Sequence, residues 1–261
     1  MSRALIFDSG LGGLSVLRAV RAALPGVGVI YAADNAGFPY GDLESDALVA
    51  RVLDVFDTLI GTYRPDAAVI ACNTASTLVL PHLRARFSIP FVGTVPAIKP
   101  AAAATRSGLV SVLATPATVT RDYTQCLIRE FAADVDVTLV GAARLAGIAE
   151  TILGGEKSPP EAIAAEIAPA FVDAGGRRTD TIVLACTHYP LILDDLEAAA
   201  PWAVNWVDPA QAIARRLVGV AGARLGPAEI SGSDPAWFSA PGAVTPSLRA
   251  ALDAEGLVAL G

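Results

Sequence analysis

The sequence has 261 residues, of which 53% are apolar, and a formal net charge of -7 at pH 7. This length suits two domains, because a single core is typically built from about 100 to 150 residues. The acidic balance argues against a nucleic-acid partner, which needs clustered positive charge, and no apolar run reaches the ~18 residues of a membrane span, so we expect no membrane partner either.

Strands and helices alternate through the first part of the chain, a pattern that predicts a parallel sheet covered on both faces. Apolar runs indicate strands at 4–7, 27–32, 66–71 and 89–92, and apolar stripes indicate helices at 14–24, 45–63 and 81–87. The loop at 34–42 contains Gly37, Pro39 and Gly41 and is long enough to line a site. Asp8 interrupts the N-terminal segment before an apolar stretch of signal-peptide length develops, so we expect a cytoplasmic protein.

The alternation then starts again, which predicts a second domain of the same kind. Strands are indicated at 109–113, 135–140, 180–185 and 203–207, and helices at 120–131, between 143 and 174, and at 210–218. The stretch at 226–242 is rich in Gly, Ser and Pro and favours no regular structure. We therefore predict an α/β protein of two pseudo-symmetric domains, each a mainly parallel sheet flanked by helices, with the active site in the cleft between them. The predicted domains are 1–95 together with 209–261, and 96–208.

One strand ending occurs twice and carries a cysteine in each copy. Residues 66–74 read DAAVIACNT, and residues 180–188 read DTIVLACTH. Because ligands bind at the carboxyl ends of strands in an open α/β sheet, the two copies would bring Cys72 and Cys186 to one cleft. A lone cysteine is more often simply buried, and this is our prediction for Cys126, which lies in an amphipathic helix.

Two thiols on opposite sides of a substrate carbon can invert its configuration. Near neutral pH a thiolate accepts a proton and a thiol donates one, so one sulfur removes a proton while the other supplies one. His188 follows Cys186 by two residues, where a cation would lower the pKa of the thiol; the alternative is a histidine that satisfies a strand-end carbonyl. Asp8 begins a glycine loop at 8–13, and it either contacts a substrate ammonium or caps the next helix.

The sequence favours chemistry without a cofactor or a metal. Only Lys99 and Lys157 are available for the Schiff base of a pyridoxal enzyme, and neither lies in a strand-end loop like those of the cysteines. A zinc site drawn from the two strand-end cysteines, Asp8 and His188 lacks the usual ligand spacing, and a redox dithiol would need C-x-x-C. Three cysteines do not make a disulfide framework, so we expect the thiols to be reduced.

Four segments, at 7–14, 39–41, 71–76 and 186–190, resemble in order the landmark segments of the glutamate racemases, within the wider aspartate/glutamate racemase group. The resemblance spans about residues 5–217 and implies cofactor-independent interconversion of L- and D-glutamate for peptidoglycan synthesis. It implies that Cys72 and Cys186 are the acid/base residues, and that Glu150 is an auxiliary carboxylate near the second thiol. The substrate-binding residues that it implies are Asp8, Ser9, Tyr40, Gly41, Asn73, Thr74, Thr187 and His188, with secondary contacts from Thr115 and Thr118.

The same resemblance leaves several partners and alternatives open. Segments 34–39 and 93–100 are similar to those of racemases that depend on a peptidoglycan precursor, so such an activator is an expected partner. Aspartate racemases share the two thiols, and some glutamate racemases inhibit gyrase by binding it, which gives one alternative within the group and one of another class. Such racemases occur as monomers and as homodimers. Asp208-Pro209-Ala210 departs from the Asp-Ser-Gly that many members have at the crossing between domains.

Overall fold

The computed structural model describes residues 3–226 and 232–260. Its first part contains β1 (Arg3–Asp8), α1 (Gly13–Ala23), β2 (Gly28–Ala33), α2 (Ser45–Tyr63), β3 (Ala67–Ile70), α3 (Asn73–Arg86) and β4 (Phe91–Gly93). Between β2 and α2 the chain forms two short 3-10 turns, Asn35–Gly37 and Tyr40–Asp42.

The rest of the chain is built in the same way and ends with a return to short strands. It contains α4 (Ile98–Ala104), β5 (Leu109–Ala114), α5 (Pro116–Val119), α6 (Asp122–Phe131), β6 (Asp136–Gly141), α7 (Leu145–Leu153), α8 (Pro160–Ile167), β7 (Asp173–Ala174), β8 (Arg177–Arg178), β9 (Thr181–Ala185), α9 (Leu193–Ala199), β10 (Asn205–Val207), α10 (Ala210–Ala221), β11 (Asp234–Phe238), α11 (Pro246–Ala254) and β12 (Leu257–Ala259).

Six strands form one parallel sheet in the order β12-β11-β2-β1-β3-β4. Alternate residues of the central strand β1 enter different cores, because successive side chains point to opposite faces of a sheet. Ile6 packs in the core that contains residues of α1 and α10, whereas Leu5 and Phe7 pack in the core that contains residues of α2 and α3. Burial on both faces explains why these strands read as unbroken apolar runs.

A second parallel sheet has the order β10-β9-β5-β6. It is also covered on both faces: Leu184 packs in the core with residues of α7, α8 and α9, and Val183 in the core with residues of α4 and α6. The predicted class, α/β with parallel sheets flanked by helices, is confirmed. Among the described residues, none of the helices is both long and apolar enough to span a membrane.

The prediction for Cys126 is wrong, because this cysteine is exposed. The inner face of α6 carries Thr124, Leu127 and Ile128, and Cys126 lies on the other side of the helix, 3.0 Å from Nη2 of Arg129. The amphipathic pattern predicts the helix correctly, but Cys126 lies on its solvent side and not on the side that faces the core.

The sequence also gave no indication of two peripheral structures. A two-stranded antiparallel hairpin, β7-β8, turns at Gly175 and Gly176, both of which have positive φ (60° and 84°). In the stretch at 226–242, residues 227–231 lie outside the described part, and β11 extends the six-stranded sheet where no regular structure was expected.

Candidate active site

A small cavity lies where the two cysteine-bearing strands end. Cys72 follows β3 and Cys186 follows β9; each residue is 7% exposed. The cavity has a volume of about 30 Å³. Its lining consists of Ser9, Phe38, Pro39, Tyr40, Gly41, Cys72, Asn73, Thr74, Thr115, Ala146, Ala185, Cys186, Thr187 and His188.

The thiol of Cys72 lies at the start of α3, with the hydroxyl of Ser9 3.8 Å from its sulfur. Burial raises the pKa of Cys72 well above its usual range, and the negative charge of Asp8 raises it further. The backbone N–H of Ala75 and the Ser9 hydroxyl act in the opposite direction but do not outweigh burial. Cys72 is therefore held as a neutral thiol, the form that donates a proton.

Cys186 has a different neighbour, an imidazole linked to a carboxylate. Its sulfur lies 3.7 Å from Nδ1 of His188, and Nε2 of His188 lies 2.6 Å from Oε1 of Glu150. Burial lowers the pKa of His188 more than any other single effect, but its contacts with Cys186 and Glu150 together raise the pKa well above the usual range. His188 is therefore held as an imidazolium within reach of the Cys186 sulfur.

The glycine loop between β1 and α1 supplies backbone donors to the same pair. The N–H of Leu11 donates to Oε1 of Glu150 (2.5 Å), and the N–H of Gly12 points at Nε2 of His188 (3.2 Å). A protonated His188 donates from Nε2 to Glu150, and a neutral His188 can accept there from Gly12. Both protonation states of the ring therefore have a hydrogen-bond partner.

Close approach explains why the loop needs glycine. A Cβ on Gly10 would lie 2.1 Å from Oε1 of Glu150, and one on Gly12 would lie 2.5 Å from Nδ1 of His188. At these two positions only glycine lets the backbone come this near to the pair.

Asp8 lies beneath the loop rather than in the cavity lining. It is fully buried, and its carboxylate accepts hydrogen bonds from the N–H groups of Ser9 (2.8 Å) and Gly13 (2.7 Å). Burial raises the pKa of Asp8, although His188 and the two backbone bonds oppose this. Since Gly13 is the first residue of α1, Asp8 satisfies one of the free N–H groups at the start of this helix, although Gly12 occupies the N-cap position.

Hydroxyl and amide groups face one another on the Cys72 side of the cavity. The hydroxyl of Thr74 lies 3.0 Å from that of Thr115 and 3.4 Å from that of Thr118. Both side-chain polar atoms of Asn73 are buried and make no hydrogen bond to the described residues. A buried amide without partners is costly unless a ligand satisfies it, so Asn73 is a candidate contact for a bound polar molecule.

The loop between β2 and α2 closes the cavity on another side. The hydroxyl of Tyr40 donates to Asp34 (2.6 Å), which leaves mainly the backbone of Tyr40 and Gly41 for a ligand. The Phe38 ring lies 5.6 Å from the His188 ring.

Most of the predicted site residues meet at this cavity. All of them line it except Asp8 and Glu150, which lie behind it, and Thr118, which touches the lining residues Thr74 and Thr115. Four lining residues were not predicted as site residues, because their side chains carry no reactive group: Phe38, Pro39, Ala146 and Ala185. Among the described residues no cluster of three or more His, Cys, Asp or Glu side chains is arranged to hold a metal ion.

Comparison with known proteins gives the class of this fold and site. Residues 14–217 match the family model described as Asp/Glu/Hydantoin racemase. The crystal structure of Escherichia coli glutamate racemase, in complex with L-glutamate and the activator UDP-MurNAc-Ala, superposes with a TM-score of 0.90 and 39% identity, covering 100% of this chain and 98% of that chain. The protein is therefore an enzyme of the racemase class, an isomerase.

Curated relatives agree with this class. Glutamate racemase of Brucella ovis is 54% identical over 235 residues, which are 90% of this chain and 85% of the relative. Glutamate racemase of Agrobacterium fabrum is 58% identical over 213 residues, 81% of this chain and 78% of the relative. The chain belongs to the Asp/Glu/Hydantoin racemase family, and the resemblance found in its four segments is confirmed.

Proposed function

We propose that the protein interconverts L- and D-glutamate without a cofactor, using Cys72 and Cys186 as the two acid/base residues, and so supplies D-glutamate for peptidoglycan synthesis. The observation that carries the proposal is the meeting of two buried thiols, one from each sheet, at one cavity. The glutamate racemase relatives support glutamate as the substrate.

The unequal surroundings of the thiols give the reaction a starting state. We assign Cys186, beside the His188 imidazolium, as the base toward L-glutamate and Cys72, a neutral thiol, as the acid. Cys186 removes the α-proton of L-glutamate: a C–H bond breaks and an S–H bond forms. Cys72 gives its proton to the opposite face of the carbanion, so an S–H bond breaks and the C–H bond of D-glutamate forms.

Each turnover thus exchanges the protonation states of the thiols. D-glutamate can then react in the reverse sense, with Cys72 as the base. Otherwise the thiols regain their starting state by proton exchange, for which the His188–Glu150 pair offers a relay next to Cys186. The resemblance to the glutamate racemases likewise implies that Cys186 deprotonates L-glutamate and Cys72 deprotonates D-glutamate.

The hard step is to stabilise the carbanion, since the α-proton of an amino acid is very weakly acidic. Preorganised donors in a site without water are the usual means. The unpartnered amide of Asn73 and the hydroxyls of Thr74 and Thr115 supply donors on the Cys72 side. A cavity of about 30 Å³ holds little more than a water molecule, so we propose that the two sheets separate to admit the substrate and close on it.

We also propose that a peptidoglycan precursor activates the enzyme from a second cleft. This cleft, of about 580 Å³, is lined by most of the segment 93–100, including Lys99, and by Arg84 and Arg216. Such a sugar nucleotide carries a diphosphate, which arginine and lysine bind well, and a flat base, for which Tyr123 and Phe131 offer aromatic surface. The activator bound to the E. coli relative supports this proposal.

The domain boundaries, the cellular location and the assembly are further proposals. We propose the domains 1–95 with 209–261, and 96–208, because α10 packs against α1 and β4 after the chain leaves the four-stranded sheet. A mechanism that needs two free thiols suits the reducing cytoplasm. The assembly is expected to be a monomer or a homodimer.

Circular dichroism of purified protein with L-glutamate and with L-aspartate, each with and without UDP-MurNAc-Ala, tests substrate and activator together. We expect racemisation of glutamate that the precursor increases. Preference for aspartate would contradict the substrate, and an unchanged rate with the precursor would contradict the activator. An inactive protein that binds gyrase would favour the alternative of another class.

Single cysteine variants test the mechanism. Cys72→Ser and Cys186→Ser should each lower kcat/KM by about 10²- to 10⁴-fold, the usual contribution of one acid or base, whereas Cys126→Ser serves as the exposed control and should keep it. With a glutamate analogue bearing a β leaving group, each active-site variant should eliminate from one enantiomer only. If both variants treat the two hands alike, the two-base assignment is wrong. In D2O the product should carry deuterium at its α-carbon.

A further inference from the structure

The wall of the cavity formed by Phe38 to Gly41 rests on a partly buried ion pair outside the cavity. Asp34 follows β2 and is fully buried, and its carboxylate accepts hydrogen bonds from Nε and Nη2 of Arg51, both at 2.6 Å. Arg51 lies on α2, and its side chain is 34% exposed. A two-pronged pair of this kind fixes direction as well as distance.

The same carboxylate holds the wall itself. Oδ2 of Asp34 accepts a third hydrogen bond, 2.6 Å long, from the hydroxyl of Tyr40. Gly37 lies directly over the pair, since a Cβ there would be 2.3 Å from Nε of Arg51 and 2.9 Å from the Tyr40 ring. The loop is therefore folded closely around the ion pair.

The outer side of the loop is anchored to the end of β11. The side chain of Asn35 accepts from the N–H of Ala240 (2.9 Å) and donates to its carbonyl (3.1 Å), and the N–H of Ala36 donates to the Ser239 hydroxyl (2.9 Å). The start of the loop is thus fixed on the side of β11, and its end near the cavity depends on Asp34.

Hydrogen bonds keep the Asp34 carboxylate in its ionised form. Burial alone would raise the pKa of Asp34, but hydrogen bonds from Arg51, Ser239 and Tyr40 hold the pKa below its usual value. The carboxylate therefore stays ionised and keeps accepting from Arg51 and Tyr40.

We propose that Arg51 is a positioning residue for the reaction at the two thiols: its guanidinium orients Asp34, Asp34 holds the Tyr40 hydroxyl, and the wall at 38–41 is thereby kept against His188 and the substrate. The proposal rests on the proposed racemase function. Arg51 touches neither thiol and lies outside the cavity lining, so it acts only through Asp34 and Tyr40.

The test compares Arg51→Met with Arg86→Met. Arg86 forms the same two-pronged contact, with Asp57 on the same helix α2, but that pair is exposed and neither residue lines the cavity. Because Arg51→Met leaves a buried charge and can fail to fold, Tyr40→Phe is the second variant: it keeps the ion pair and removes only the link to the wall. Far-ultraviolet circular dichroism and melting curves establish folding.

Two readouts are measured on each variant. The first is kcat and KM for both enantiomers of glutamate. The second is the rate at which iodoacetamide alkylates Cys72 and Cys186, determined by peptide mass spectrometry relative to the exposed Cys126 in the same molecule. The alkylation rates need no catalytic activity, so they test the position of the wall even if the wild type racemises no amino acid. Absence of racemisation in the wild type would refute the proposed function but not the role of Arg51.

We expect Arg51→Met to lower kcat/KM by up to about 10²-fold, the usual effect of displacing a site by about 1 Å, and to raise alkylation of both buried thiols several-fold. Tyr40→Phe should change both quantities in the same direction, and Arg86→Met should change neither. The proposal is overturned if Arg51→Met stays within twofold of Arg86→Met in both readouts; if Arg51→Met does not fold, the same comparison applies to Tyr40→Phe. It is also overturned if Arg51→Met loses activity and Tyr40→Phe does not.

Discussion

Replacing Glu150 by glutamine tests whether its charge keeps His188 protonated beside Cys186. A glutamine oxygen can still accept from Nε2 of His188 and from the N–H of Leu11, so the shape is kept and only the charge is lost. Hydrogen bonds to charged groups contribute about 1.5–3 kcal/mol and neutral ones about 0.5–1.5 kcal/mol, so the substitution weakens the contact between residue 150 and His188 by roughly 1–2 kcal/mol. If that energy is expressed in proton transfer, kcat/KM falls about five- to thirtyfold.

The effect depends on pH in a definite direction. Glu150 is one of the contacts that raise the pKa of His188, so in Glu150→Gln the ring loses its proton at lower pH. The alkaline limb of the kcat/KM profile should therefore move to lower pH. The same raised pKa stabilises the fold fully below the unfolded pKa of about 6.5, and this stabilisation is lost as pH rises through the folded pKa.

The measurement combines kinetics with nuclear magnetic resonance. Racemisation is followed by circular dichroism across the neutral and alkaline range, and ring signals are titrated in labelled protein. The chain has only two histidines, so His82→Gln assigns the His188 signal. Glu166→Gln is the matched control, because Glu166 pairs with Arg144 outside the cavity. An alkaline limb and a His188 titration that both stay unchanged in Glu150→Gln would refute this account of the pair.

Three other predictions follow from contacts around the site and one sheet end. Gly10→Ala should push the Glu150 carboxylate off His188 and lower kcat/KM about tenfold or more while the protein stays folded. The control is Gly61→Ala, whose added Cβ has no atom within 4 Å; in denaturant melts it should raise the free energy of unfolding by about 0.5–1 kcal/mol. Thr74→Val should lower kcat/KM more than Thr118→Val, because Thr74 lies beside Asn73 in the cavity lining whereas Thr118 lies outside it; equal losses would argue against this role of Thr74. Asp180→Asn should lower the free energy of unfolding by about 1 kcal/mol at neutral pH. Hydrogen bonds from Thr105 and its neighbours outweigh burial and lower the pKa of Asp180 to about 2, so this loss should vanish as pH falls through that value.

The repeated strand endings were the most predictive part of the sequence. A strand buried on both faces is an unbroken apolar run, so the position at which polar residues begin marks its carboxyl end. Cys72 and Cys186 are recognisable there from local pattern alone. Glu150 is not, because it sits on α7 and reaches His188 only through tertiary packing; only the resemblance pointed to it.

What the sequence could not show depends on contacts between distant segments. Nothing near Arg51 indicates that it pairs with Asp34 under a loop, and the amphipathic pattern of α6 does not say on which side Cys126 lies. The strand β11 escaped prediction because Pro235 and the surrounding Gly and Ser residues disfavour a strand, and pairing with β2 overrides that preference.

The strand order of the six-stranded sheet also bears on how the protein is made. This sheet joins strands from residues 3–93 to strands from residues 234–259, whereas the four-stranded sheet uses only residues 109–207. Domains usually form in order of synthesis from the N-terminus, and pairing between distant segments is slow. Here the sheet that carries Cys186 has all its strands before the sheet that carries Cys72 receives its last two. On the ribosome, the later half of the site should become protease-resistant first, and the earlier half should follow only when β11 and β12 have emerged.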